Sequence, residues 1–210
     1  MKALKKSQVV NIAERIRHQE APYCSALREH LSLFDGLAAI QREVEGAAAM
    51  IVRCLAAGKK LMLCGNGGSA ADSQHLAAEL IGRFERERPE LAAIALTTDS
   101  SILTAIANDY AFEQVFAKQV RGLGREGDVL VAISTSGNSP SVLAAAQAAR
   151  ERGLAIVALT GRGGGQLGEM LGEGDVHLCV PHERTARIQE VHLLIVHCLC
   201  DGIDLSLMGE

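Results

Sequence analysis

The chain has 210 residues, 48% of them hydrophobic and 22% charged, with a net charge of -4. That balance belongs to an ordinary folded domain and excludes a disordered or low-complexity chain. With no tryptophan and 3% aromatic residues, the core falls to Ala, Leu, Ile and Val. The same scarcity, together with the negative charge, argues against a single-stranded nucleic-acid reader, which needs stacking platforms and cations.

The first residues, Met1-Lys2-Ala3-Leu4-Lys5-Lys6, are basic. They lead into Ser7-Gln8-Val9-Val10-Asn11, too short and too polar for the core of a signal peptide. No run approaches the ~18 apolar residues of a membrane span. Cys24, Cys54, Cys64, Cys179, Cys198 and Cys200 form no C-x-x-C pair, and four of them sit in apolar runs. They read as small hydrophobes kept reduced, which makes a cytoplasmic protein the expectation.

Up to residue 60 the pattern is helical. Leu33, Leu37, Ile40 and Val44 recur at helical spacing, and the stripe continues over 47–52 until Gly58 stops it. After Gly58 the rhythm changes to short apolar runs separated by helical stretches. It predicts strands over 60–64, 92–96, 129–134, 155–159 and 176–180, each apolar nearly throughout, as parallel strands covered on both faces are. The expected fold is α/β: a five-stranded parallel sheet flanked by helices, over residues 36–210, preceded by a helical extension over 1–35. Ligands of such sheets bind beyond the carboxyl ends of the strands.

The last predicted helix, 185–207, is apolar around most of its circumference over 191–200. This predicts burial on all sides. A sheet of this size leaves its outer helices half exposed, so the surplus apolar face points to contact between subunits and a homo-oligomer.

Two turns carry chemistry. The first strand runs into Gly65-Asn66-Gly67-Gly68-Ser69 before a helix. Glycines there let backbone approach a ligand, and the helix start favours anions; a tight structural turn is the alternative. The third strand ends in Ser134-Thr135-Ser136-Gly137-Asn138-Ser139-Pro140. Ser139 occupies the N-cap position and Pro140 the first helical position. Four hydroxyls, a glycine and a helix N-terminus at the end of a central strand make a phosphate cradle that needs no cation. A serine-rich turn with one capping serine is the weaker reading.

His75 and Glu79 lie four apart and therefore on one helix face. Gln189 and His197 lie eight apart, about 12 Å of helix rise. An H-x-x-x-E pair is a weak metal signal by itself, and Gln189 and His197 could meet one ion only with extended side chains or from different subunits. His177, His182 and His192 read as ordinary histidines. Thr97-Thr98-Asp99 and Ala107-Asn108-Asp109-Tyr110 suit either sugar hydroxyls or helix capping.

Taken together, Gly65-Asn66-Gly67-Gly68-Ser69, Gln74-His75, Glu79, Ala107-Asn108-Asp109, Ser134-Thr135-Ser136-Gly137-Asn138-Ser139, Ala186-Arg187-Ile188-Gln189-Glu190 and His197 resemble the phosphoheptose isomerases of the sugar isomerase (SIS) superfamily. The resemblance runs from about Ile40 to Ile203. It implies a flavodoxin-like SIS sheet, a tetramer with sites at subunit interfaces, and the isomerisation of sedoheptulose 7-phosphate for bacterial heptose and lipopolysaccharide synthesis. It further implies that Ser134, Thr135, Ser136 and Ser139 hold the phosphate. Asn66, Gly67, Gly68, Ser69, Asn108, Asp109 and Gln189 would line the substrate. One zinc ion per subunit would be held by His75, Glu79, Gln189 and His197, with Glu79 and His197 also the acid/base pair. Neither nucleic acid nor membrane is an expected partner. A relative that binds the bacterial replication initiator, without catalysis, shares the segment 83–89. The positions of Glu79 and His197 are altered in that relative and intact here, so the isomerase is preferred.

Overall fold

A computed structural model of the protein describes residues 21–209. The chain divides into two compact units, Met1–Leu37 and Ala38–Glu210. In the first, helix α1 (Pro22–Phe34) starts with proline at its first turn, where the missing N–H costs nothing. His30 and Phe34, one turn apart, stack with ring centroids 4.0 Å apart. The predicted apolar stripe from Leu33 to Val44 is broken. Chain order passes from α1 through Asp35-Gly36 and a short 3-10 turn at Leu37–Ile40 into α2 (Gln41–Ala56). The remainder of the predicted extension, residues 1–20, lies outside the described residues.

The second unit is built on five parallel strands, β1 (Leu61–Gly65), β2 (Ala93–Ala95), β3 (Val129–Ser134), β4 (Ala155–Gly161) and β5 (Val176–Val180), in the order β2-β1-β3-β4-β5. The intervening helices are α3 (Gly68–Ile81), α4 (Ser100–Asp109), α5 (Ala117–Leu123), α6 (Pro140–Glu151) and α7 (Gly165–Met170), and α8 (Thr185–Met208) closes the chain. β1 and β4 each run on to a terminal glycine, where an apolar run by itself stops short. Gly65 pairs with Ile133 and Gly161 with Val180, so the ladder continues past the last apolar side chain.

Every residue of β1 and β3 is buried, because the alternating faces of the sheet meet two helical layers. Met62, Cys64, Leu130, Ala132, Ile156 and Ala158 turn to the layer that contains Val120, Val142, Ala145, Ala149 and Leu167. The aromatic-poor composition has its place here, since small alanines let α6 lie close to the sheet. On the opposite side α2 and α3 each pack on α8, with Ile51, Leu76, Leu80, Ile188, Val191 and Ile195 buried. At the amino ends of the central strands Asp128 accepts from Lys60 N at 3.0 Å and from Arg125 N at 2.9 Å, and it pairs with the Lys60 ammonium. Burial pushes its carboxyl up, but these donors outweigh burial and hold it below its usual range.

Helix α8 is only partly covered within the single chain. Val191, Ile195, Val196, Leu199 and Cys200 are buried, but Leu193 (36%), Leu194 (38%) and Leu205 (41%) stand in solvent in the single chain. The cysteines divide similarly. Cys54, Cys64 and Cys200 are buried, whereas Cys24 and Cys198 are exposed. Burial raises the three buried thiols to about 11, 12 and 12. Among the described residues no helix is long and apolar enough to cross a membrane.

Candidate active site

The strand order reverses between β1 and β3, neighbours in space whose chains leave toward opposite flanks. A crevice at the carboxyl ends of the strands opens at such a switch point, and both motif turns lie there. Asn66, just after β1, reaches across it: Asn66 Nδ2 donates to Ser141 Oγ at 3.0 Å, at the start of α6. Gly67 and Gly68 are exposed, and Ser69 is buried behind them, with its carbonyl accepting from Ser73 Oγ at 2.9 Å.

The turn after β3 is held by its own donors. Gly137 N donates to Ser134 O at 2.9 Å, Asn138 N donates to Ser136 Oγ at 3.2 Å, and Asn138 Nδ2 to Ser136 O at 2.9 Å. Ser139 occupies the N-cap position of α6 and Pro140 follows it, but the Ser139 hydroxyl makes no capping bond. It accepts instead from Ser134 Oγ at 3.2 Å, which folds both hydroxyls into the mouth of the turn. Thr135 and Ser136 beside them are half-buried. Gly137 has φ +65°, and a Cβ there would overlap the carbonyl of Gly164. A second loop therefore lies directly against this turn, fastened by Leu167 N to Gly137 O (2.8 Å) and Gln166 N to Asn138 Oδ1 (3.0 Å).

Helix α3 turns His75 and Glu79 to one side, with His75 Nε2 3.1 Å from Glu79 Oε1. Helix α8 brings His197 Nε2 to 3.4 Å from the same His75 nitrogen. The two imidazoles meet edge-on at 5.1 Å, and Phe84 stacks on His197 at 5.6 Å, so both rings are fixed in orientation. Glu79, on the same helix, and His197, 122 residues away in sequence on α8, thus each approach His75 Nε2. Two ligands on a tetrahedral ion with bonds of about 2.0–2.1 Å stand roughly 3.3 Å apart, close to both separations. The donor types and spacings fit a divalent ion, although among the described residues no group of three or more His, Cys, Asp or Glu closes around a common centre.

Gln189 does not join these three within the chain. Its side-chain amide packs against Gly68, where a Cβ would collide with it. Gly68 lies seven residues before His75, about 10 Å of helix rise. Asn108 and Asp109 end α4, exposed, with Asn108 Nδ2 donating to Asp109 Oδ1 at 2.8 Å. Asp99 caps that same helix, accepting from Ile102 N at 2.8 Å, so capping accounts for it. Gln74 Nε2 donates to Thr97 Oγ1 at 3.1 Å.

One residue of the site escaped the motif reading. Asp72 sits a turn before His75, and its Oδ2 is buried without a hydrogen-bond partner. Burial pushes its carboxyl up, with the nearby His75 acting in the opposite direction. A lone aspartate mid-helix carries no sequence signal; only its position one turn from His75 could have drawn attention to it.

Residues 23–161 match the SIS domain. The chain is 66% identical over 166 residues to the phosphoheptose isomerase of Dechloromonas aromatica, an alignment covering 79% of this chain and 85% of that one. The chain belongs to the phosphoheptose isomerase family. Two solved phosphoheptose isomerases show the same architecture. That of Neisseria gonorrhoeae is 51% identical, with a TM-score of 0.80 over 92% of this chain and 98% of its own. That of Francisella tularensis is 44% identical, with a TM-score of 0.85 over 87% and 96%. More remote likenesses, such as the sugar isomerase domain of an RpiR transcription factor from Sphaerobacter thermophilus at 16% identity, concern the fold alone.

Proposed function

We infer that the chain is an aldose–ketose isomerase of sedoheptulose 7-phosphate, producing D-glycero-D-manno-heptose 7-phosphate for bacterial heptose synthesis. The observation that carries the reading is the meeting of Glu79 and His197 at His75 Nε2 in a member of this family. Moving a proton between C1 and C2 through an enediol needs one group for the carbon-bound proton and another for the oxygen proton. Glu79 Oε1 faces His75, which leaves Oε2 to take the carbon-bound proton. His197, steadied by Phe84, serves the oxygen proton. Ser134, Thr135, Ser136 and Ser139 grip the phosphate together with the start of α6, and Asn66, Gly67, Gly68, Ser69, Asn108 and Asp109 line the sugar.

His75, Glu79 and His197 would hold a zinc ion, which when bound supplies Lewis-acid polarisation of the substrate oxygen. Gln189 is the fourth donor and a substrate contact in this proposal, and it reaches the ion by leaving Gly68 or from a neighbouring subunit. Leu193, Leu194 and Leu205 on α8 support a homo-oligomer, assigned here as a tetramer, and the reaction is placed in the cytoplasm. Residues 36–210 form the catalytic domain and 1–35 its extension. Glu79→Gln is expected to lower kcat by about 10²–10⁴-fold while substrate affinity, read by calorimetry, is retained. Turnover near the wild-type rate would remove Glu79 from its role.

A further inference from the structure

The segment joining α3 to β2 contains an arginine that the chemistry above does not use. The side chains of Arg88 and Asp204 are each 1% exposed, and Arg88 Nε donates to Asp204 Oδ1 at 2.6 Å. The same guanidinium donates through Nη2 to the carbonyl of Glu79 at 2.6 Å and through Nη1 to that of Leu80 at 2.9 Å, with a further bond to Pro89 O at 3.2 Å. Glu79 and Leu80 carry two of the last carbonyls of α3, which have no partner within a helix and concentrate its negative end. Asp204 stands on α8 seven residues after His197, two turns along the same face. One planar, permanently charged fork therefore grips the backbone of Glu79 and, through Asp204, the helix that carries His197.

A buried ion pair is a poor source of net stability, because apolar packing in its place often does as well. What such a pair does well is define register, since a guanidinium bound to Asp204 and to two carbonyls of α3 tolerates little sliding of one helix along the other. We propose that Arg88 is a positioning residue of the isomerase, which with Asp204 fixes α3 against α8 and so sets Glu79 relative to His197. The proposal rests on the assignment of Glu79 and His197 as the proton-transferring pair. The hydroxyl turn after β3 contacts neither Arg88 nor Asp204, so loss of the clamp should disturb turnover and leave substrate capture alone.

The test compares kcat, KM and thermal midpoint for the full-length wild type, Arg88→Met, Arg88→Lys, Asp204→Asn and Glu79→Gln. Arg88→Met should lose about 30- to 100-fold in kcat, the scale of a 1 Å misplacement, with KM within about twofold of the wild type. Arg88→Lys should recover part of that loss, because an ammonium reaches Asp204 or one carbonyl but does not span all three. Asp204→Asn keeps shape and an acceptor but strands the charge, and should cost about tenfold in kcat. If Arg88→Met does not fold, Asp204→Asn decides the question. A folded Arg88→Met or Asp204→Asn with kcat within about threefold of the wild type overturns the proposal, as does a loss carried entirely by KM. Failure of the catalytic assignment looks different: Glu79→Gln would then turn over normally whatever the Arg88 variants do.

Discussion

His192 should make the protein acid-sensitive in a window set by one nitrogen. The residue is fully buried on α8, with Nε2 3.0 Å from the carbonyl of Thr160. A carbonyl only accepts, so Nε2 carries the proton and Nδ1 is the bare nitrogen, buried without a partner. Protonation would add a donor with nothing to receive it. Burial accordingly lowers the pKa from 6.5 to about 4, against a smaller opposing effect of the Thr160 bond. Because the folded pKa is depressed, the unfolded chain takes up the proton first as pH falls. Stability is lost from about pH 6.5 down to about pH 4 and is level below that. The whole window is worth on the order of 3 kcal/mol, and the step from pH 7.5 to pH 5 about 2 kcal/mol. Urea unfolding at fixed protein concentration would measure it, with His192→Gln as the reference, since glutamine can donate to Thr160 but does not titrate. The wild type should lose about 2 kcal/mol more than the variant between pH 7.5 and pH 5. Parallel losses in the two proteins would refute the argument and place the acid sensitivity elsewhere.

Gly137→Ala must accommodate a Cβ at φ +65° against the Gly164 carbonyl. It should cost about 3 kcal/mol by denaturant titration, and in whatever folds KM should rise more than kcat falls. Treatment with a chelator should abolish turnover and lower the thermal midpoint, both restored by zinc; full activity in metal-free protein would exclude the ion from the chemistry. Replacing Leu193 and Leu194 by glutamate should shift the protein to a smaller species in light scattering, and an unchanged mass would place the subunit contact elsewhere.

Much of the sheet was legible because a doubly covered strand announces itself as an apolar run between glycine-marked turns. β3 and β5 fall where the pattern places them, whereas β1 and β4 extend to glycines whose membership depends on a partner strand. The stripe from Leu33 to Val44 kept helical spacing across a break, since periodicity registers side chains and is blind to the turn at Asp35-Gly36. At Ser139 the cap position was legible, but the direction of the hydroxyl depends on Ser134, across the turn. The spacing of His75 and Glu79 put them on one helix face, but only the family resemblance singled them out. Arg88 and Asp204 could not be paired from the sequence, being 116 positions apart with nothing periodic between them.

In its proposed role as the phosphate cradle, the turn after β3 also bears on how a charged ligand is caught and let go. Its donors are neutral hydroxyls and amides, aimed by bonds among themselves. Neutral dipoles act at contact range and create no long-range field, so they add little to the speed of encounter and feel little of the surrounding salt. They discriminate by counting and aiming acceptor oxygens, so a singly charged anion of the wrong shape gains little from them. In that role they would also release readily, because no desolvated ion pair has to be pulled apart when the product leaves. A turn built this way trades tenacity for turnover.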